Sequence, residues 1–267
     1  MDRVSRKVID PRNVVGIGSL KGQVSEEEWE TRVDLAACYR LLAHFDMTDM
    51  IFTHVTARVP GPDHHLLINP YGFFFEDVTA SGLVKFDLDG NVIGDSPYTI
   101  NPVGFTFHTA LHAARQDVTC VIHTHSPYSV AVSALEGGLL PLTQSALRFH
   151  GKVGYHDYEG LAPSGDELGR VAADIGDKRV LVLRNHGIIT AGRTIPEAFH
   201  LAHYFEQCCR TQIEVMATGA AIQTLPDHVI EHGAAQFDAI YSKVMPGERE
   251  WPTLVRIVER EDPSLLN

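Results

Sequence analysis

The chain has 267 residues, with 22 Lys+Arg against 34 Asp+Glu and a formal net charge of −12. At 44% hydrophobic and 21% charged, it has the balance of a globular chain long enough to bury a core without staples, not of a disordered or low-complexity one. The acidic excess repels phosphate backbones and anionic bilayers, so neither nucleic acid nor a membrane is expected as a partner, although a local basic pocket for a small anion stays open.

In chain order, residues 1–24 are polar and read as an arm. Ser25, followed by Glu26, Glu27 and Glu28, starts a helix over about 26–45; the glutamates match the helix dipole. Short apolar runs follow. Strands are predicted at 51–60 and 65–70, with another short piece at 71–78, and Asp89-Gly90 marks a hairpin within 83–94. A helix is expected at 105–115, a strand at 118–125, a helix at 127–135, and one or two short strands within 147–158. Then come a helix at 164–175, a buried strand at 179–185, a further strand at 188–190 and a long helix at 195–219. The tail from residue 220 carries helices at about 233–244 and 251–260.

No fixed-period repeat and no composition break divides the chain. The expectation is a single α/β domain over 25–220, with a largely antiparallel sheet and helices on its faces. The tail 221–267 packs on that domain or on a neighbouring subunit. Cys38, Cys120, Cys208 and Cys209 form no CxxC pair, so they read as buried reduced thiols. MDRVSRKVID lacks the apolar core of a secretory leader, and no run of ~18 apolar residues occurs, so a cytoplasmic location is expected. GxGxxG and GxxxxGK are absent, which removes support for dinucleotide and P-loop chemistry.

Histidine is abundant, at 15 residues. In CVIHTHSP, His123 and His125 alternate on a strand and so share a face. Their Cα atoms would be ~6.6–6.8 Å apart, close enough for two imidazoles to meet one ion. The competing reading is two satisfied histidines at a strand end. A third histidine, His186, follows the buried run RVLVLRN, with Gly187 allowing a tight turn. If the two strands lie close, the three form a nitrogen cup with an open position, as catalytic metals require. His108 and His112 share a helix face and are a rival pair, but no HExxH accompanies them; for His108 a supporting role behind the metal fits better than ligation. Tyr71, Tyr128, Tyr204 and His54 are acid/base candidates. Tyr204 and Glu206 on the long helix also read simply as packing and a solvated charge.

Several segments resemble the class II aldolase/adducin family. They are HVTARVP at 54–60, LINPYG at 67–72, TASGLVKFDLDGN at 79–91, FHTALHAARQDVTCVIHTHSP at 107–127 and LVLRNHGIITAG at 181–192. The resemblance spans about 28–220 and is nearer to the adducin head than to the sugar-phosphate aldolases. It implies a three-layer α/β/α fold with a central, mainly antiparallel sheet, and cyclic tetramers with sites at subunit interfaces. It also implies a divalent metal, usually zinc, held by His123, His125 and His186, with His108 matching a helical histidine of the pattern. Where the family's aldolases carry a basic glutamate, this chain has Gly104. The places of their phosphate-pocket residues hold Thr53-His54 and Pro102-Val103.

These departures argue against an ordinary sugar-phosphate aldolase. The expected function is a metal-dependent lyase of aldolase or decarboxylase type, acting on a small 2-hydroxy or 2-oxo acid or a carbonyl compound. His108 and Tyr128 are its catalytic candidates. Iron, manganese, nickel or cobalt could replace zinc. The alternatives are a non-haem iron oxygenase or oxidative decarboxylase on the same scaffold, and a non-catalytic adducin-like module.

Overall fold

The computed structural model describes residues 18–101, 104–161 and 165–267. Most of the predicted arm, the Pro102-Val103 pair and the predicted helix start at Ser164 therefore lie outside the described residues. Among the described residues, seven strands form one sheet: β1 (His54–Arg58), β2 (Leu66–Ile68), β3 (Val84–Phe86), β4 (Cys120–Thr124), β5 (Val153–His156), β6 (Val180–Leu183) and β7 (Gly187–Gly192). Their order is β3-β2-β1-β4-β7-β6-β5. Every pairing is antiparallel except β5 with β6. The chain between those two strands folds into α4 (Gly165–Ile175), the crossover that a parallel pair needs.

Side-chain alternation divides the core into two layers. On one face Val55, Ala57, Cys120 and Ile122 pack under α1 (Glu26–His44) and α5 (Ile195–Ala217). On the same side Val180, Val182 and Ile188 meet α5 and α3 (Pro127–Ser133). On the other face Val121, Leu181, Ile189 and Ala191 pack against Leu111 of α2 (Phe105–Ala114) and Val171 of α4. The fold is thus three-layer α/β/α around an open, mainly antiparallel sheet. In the tail, α6 (Asp227–Tyr241) lies over the 3₁₀ turn Gln144–Phe149, while Trp251 and Val258 of α7 (Trp251–Glu261) pack into the α1 layer.

Several local expectations change in three dimensions. Residues 71–78 form no strand: Gly72 takes φ 95°, and Phe75–Asp77 close a 3₁₀ turn. The Asp89-Gly90 turn forms, with Gly90 at φ 85° and Asp87 accepting from the Asn91 amide at 2.8 Å. Its return arm, however, contributes only an isolated bridge from Val92 to Phe86. Helix α6 starts at Asp227, behind Pro226, rather than near 233. Gly233 does not break it; a Cβ there would lie 2.4 Å from Leu147 Cδ1, so the glycine lets the helix approach.

Two charges read as helix-end or surface features are buried. Glu28 bonds Arg32 at 2.9 Å and Lys85 at 2.7 Å. Glu206 accepts from the amides of Tyr128 at 3.0 Å and Ser129 at 2.8 Å, capping α3 from α5. The four cysteines are buried and unpaired. Among the described residues, no helix is long and apolar enough to cross a membrane.

Candidate metal centre

His123 is the cross-strand partner of His54 on β1 and of Ile189 on β7. His125 follows just past the end of β4, on the same face. His186 arrives by a different route from the one expected, because β4 and β6 are not neighbours: β7 lies between them. The turn from β6 to β7 carries the histidine across. Asn185 takes φ 58° there, a left-handed conformation that asparagine tolerates. Gly187 serves close approach rather than a tight turn: a Cβ at this position would lie 2.3 Å from the Thr124 carbonyl oxygen. Its bareness lets β7 press against β4 and brings His186 to His125.

The three imidazoles converge. His125 Nε2 lies 3.0 Å from His123 Nε2 and 2.9 Å from His186 Nε2. The other ring nitrogens decide what these contacts mean. His123 Nδ1 is 2.9 Å from the Ile188 carbonyl oxygen, an acceptor, so Nδ1 carries the proton. His125 Nδ1 is 2.9 Å from Asp49 Oδ2, which likewise requires a proton on Nδ1. In the neutral rings both Nε2 atoms then present lone pairs to the same point. Two lone pairs at 3.0 Å repel unless a cation stands between them. Such outer partners, orienting each ring and fixing its tautomer, are what a metal-binding histidine needs. Among the described residues, this trio is the one group of three or more His, Cys, Asp or Glu whose ligand atoms gather this closely, all within 4.8 Å of one another. Tetrahedral bonds of ~2.0–2.1 Å set nitrogens ~3.3 Å apart, so an ion needs only a small opening of the cup. The donor set therefore fits a divalent transition metal.

Burial, reinforced by the neighbouring imidazoles, holds His123 well below the ordinary histidine range and pushes His186 down to about 4. Both are neutral at neutral pH, the form that binds metal. Asp49 was not legible as a site residue: it sits in an irregular segment, with no periodicity to mark it. In that segment Asp46, Met50 and Thr53 all adopt left-handed backbone, at φ 57°, 49° and 69°. Conformations of this kind cost of order 1–3 kcal/mol each and collect at functional sites.

A second layer of histidines lies behind the trio, between β1 and α2. Thr56 Oγ1 meets His108 Nδ1 at 2.8 Å and His112 Nε2 at 2.9 Å. The two helical histidines thus turn to a threonine and not to a common ion. His54 lies between His108 and His123, with ring centroids 4.7 and 5.8 Å away. Burial pushes it down to about 4, and among the described residues its Nδ1 has no hydrogen-bond partner. Gly104 makes room for this ring, since a Cβ at 104 would stand 2.1 Å from His54 Cε1. Backbone conformation does not demand the glycine, because φ is −66°. The place where a residue-104 side chain would begin is occupied by the nitrogen-bearing edge of His54.

The remaining acid/base candidates make contacts of their own. Tyr128, at the start of α3, has the Arg210 guanidinium 5.7 Å from its ring centroid. Tyr204 lies beneath the Arg148 guanidinium at 3.7 Å. Tyr71 is half-buried, its amide donating to the Thr99 carbonyl.

Residues 33–213 match the family model described as Class II Aldolase and Adducin N-terminal domain. The chain belongs to the class II aldolase/adducin family. Within this family, a Caulobacter vibrioides protein named provisionally as an aldolase class 2 protein is 49% identical over 251 residues, covering 92% of this chain and 95% of its own. Rat alpha-adducin is 39% identical over 202 residues, 74% of this chain but 27% of the adducin. Among solved structures, the L-fuculose 1-phosphate aldolase of Glaciozyma antarctica superposes with a TM-score of 0.77 at 25% identity, covering 94% of this chain and 96% of the aldolase.

Proposed function

We propose that this chain is a metal-dependent lyase of aldolase or decarboxylase type, with a divalent ion, zinc first, held by His123, His125 and His186. The observation that carries the reading is the pair of lone pairs which Ile188 and Asp49 aim at one point. A bound divalent ion would act as a Lewis acid, stabilising negative charge on an oxygen next to the bond being broken.

The residues around it set what it accepts. Three neutral imidazoles leave the ion's charge uncompensated, and Gly104 brings no carboxylate to it. A substrate that supplies its own anion, a 2-hydroxy or 2-oxo acid or a related carbonyl compound, completes the charge balance. His54 presents a neutral imidazole beside the cup, while His108, held by Thr56, positions that ring from behind. Tyr128 is proposed as the proton donor from the α3 side. The whole is read as a cytoplasmic homo-oligomer, a tetramer by family resemblance, working on a small molecule.

Elemental analysis of protein purified without added metal tests the centre. About one equivalent per chain, lost in His125→Ala, is expected; less than about a tenth, with no uptake on reconstitution, would reject it. Cleavage of a panel of hydroxy and oxo acids by the loaded protein tests the chemistry. Gly104 favours one second reading, iron-dependent oxidative decarboxylation, because an all-nitrogen site with open positions suits iron. Substrate-dependent oxygen consumption with ferrous ion would select it. If metal binds and nothing turns over, the adducin-like module stands instead.

A further inference from the structure

We propose that a groove at the far end of the sheet, floored by Arg148, binds a phosphate monoester, separately from the metal centre. The groove has a volume of about 310 Å³ and is lined by the start of β6 at Val180 and by Arg193 just after β7. It therefore lies at the opposite end of these strands from His186.

Arg148 is only 9% exposed, yet no carboxylate among the described residues pairs with it. Its Nε donates to the Ser145 carbonyl at 3.0 Å. Its Nη1 donates to His200 Nε2 at 2.9 Å and Tyr241 Oη at 3.0 Å. The guanidinium carbon lies over two aromatic rings, 3.7 Å from the Tyr204 centroid and 4.9 Å from that of Phe237. These partners hold the fork rigidly, but none carries a negative charge. His200 accepts through Nε2 and is therefore neutral there; the carboxylate behind it, Glu250, is 3.8 Å from the far ring nitrogen. Among the described residues, Nη2 has no hydrogen-bond partner.

The other cations of the groove are mostly spoken for. Lys152 pairs with Asp238, Arg179 with Asp117, and Arg193 with Glu197. Lys178 also lines the groove, and its ammonium has no carboxylate partner among the described residues. Asp177, on the exposed rim, is the one lining carboxylate outside those pairs. A chain of net charge −12 thus concentrates five cations in one groove and leaves two of them, one nearly buried, outside any ion pair among the described residues, against the single unpaired carboxylate of Asp177.

An uncompensated buried cation is costly, and an incoming anion relieves that cost. A planar fork in a groove that also holds an ammonium suits phosphate oxygens, and holding the fork in advance removes the ordering cost of binding. The paired cations around the rim add to the attracting field. Tyr241, Phe149 and Pro246 supply an apolar wall for the organic part of the ligand.

Calorimetric titration of the full chain with inorganic phosphate, glycerol phosphate and acetate tests the site. Saturable binding of one glycerol phosphate per chain is expected, with phosphate weaker and acetate not saturating. Arg148→Gln should lower the affinity more than tenfold and Lys178→Glu about tenfold, whereas His123→Ala, which disables the metal centre, should leave it unchanged. Should Arg148→Gln fail to fold, Lys178→Glu decides, since that side chain makes no ion pair among the described residues. The proposal is overturned by an absence of saturable binding, by binding that survives Lys178→Glu, by binding lost in His123→Ala, or by light scattering in which Lys178→Glu splits the assembly and so places a subunit contact in the groove.

Discussion

Substituting Gly104 by alanine probes whether His54 and position 104 share one space. The new Cβ would lie 2.1 Å from His54 Cε1, where carbon atoms in contact stand ~3.5–4.0 Å apart, so the ring must retreat by ~1.5 Å. There is little room behind it: His108 is fully buried with its ring centroid 4.7 Å away, and His123 stands at 5.8 Å. Overpacking of this kind costs ~1–3 kcal/mol. Against it, alanine in place of glycine stiffens the unfolded chain and stabilises by ~0.4–1 kcal/mol where the backbone is compatible, as it is here at φ −66°, ψ −31°. The substitution should therefore change sign with its surroundings. In the wild-type background Gly104→Ala destabilises; in a His54→Ala background, with the ring gone, the same change stabilises. Urea unfolding of the four proteins gives the coupling directly, expected at ~1–3 kcal/mol. If Gly104→Ala has the same effect in both backgrounds, within ~0.5 kcal/mol, the two residues do not compete for space and the account of Gly104 fails.

Asp49→Asn keeps the shape but weakens the acceptor that fixes the His125 tautomer; metal affinity, measured by chelator competition, should fall ~10–100-fold, and an unchanged affinity would remove Asp49 from the site. Burial pushes His112 and His200 down to about 3. Because the folded pKa lies below the unfolded value of ~6.5, their stabilisation is whole above that pH and is lost as the unfolded chain takes up protons the folded one refuses; each should cost about 2 kcal/mol by pH 5, seen as a falling urea midpoint, and a flat profile from pH 7 to 5 would contradict it. Tyr39→Phe removes a hydroxyl that accepts from the amides of Val55 at 2.8 Å and Asn69 at 3.0 Å. Leaving both buried donors unpaired should cost about 2–3 kcal/mol in urea, while a loss under ~0.5 kcal/mol would show that water replaces it.

Much of this molecule is local. Apolar periodicity located the long helices α1 and α5, whose buried stripes need only a sheet to lie on. The HxH alternation on β4 put His123 and His125 on one face, because a strand has a period of two wherever it lies. The weak returns were weak for local reasons too: after Gly90 and before Gly94, the run at Val92 has too few residues to pair as a strand. What tertiary structure decided is everything that depends on which segments meet. β7 lies between the two histidine-bearing strands, and the bare Gly187 sets its distance from β4. Asp49 comes from an irregular segment 76 residues away from His125 to set a tautomer. Gly104 looks in sequence like a missing group and in space like the seat of His54. Glu206 and Arg148 show the same limit, one a solvated charge in the linear reading that proves to be a buried cap, the other a cation whose lack of a counter-charge appears only when its neighbours are assembled. Periodicity belongs to the chain, but the partner of a polar atom belongs to the fold, and the chemistry of this site lies in the partners.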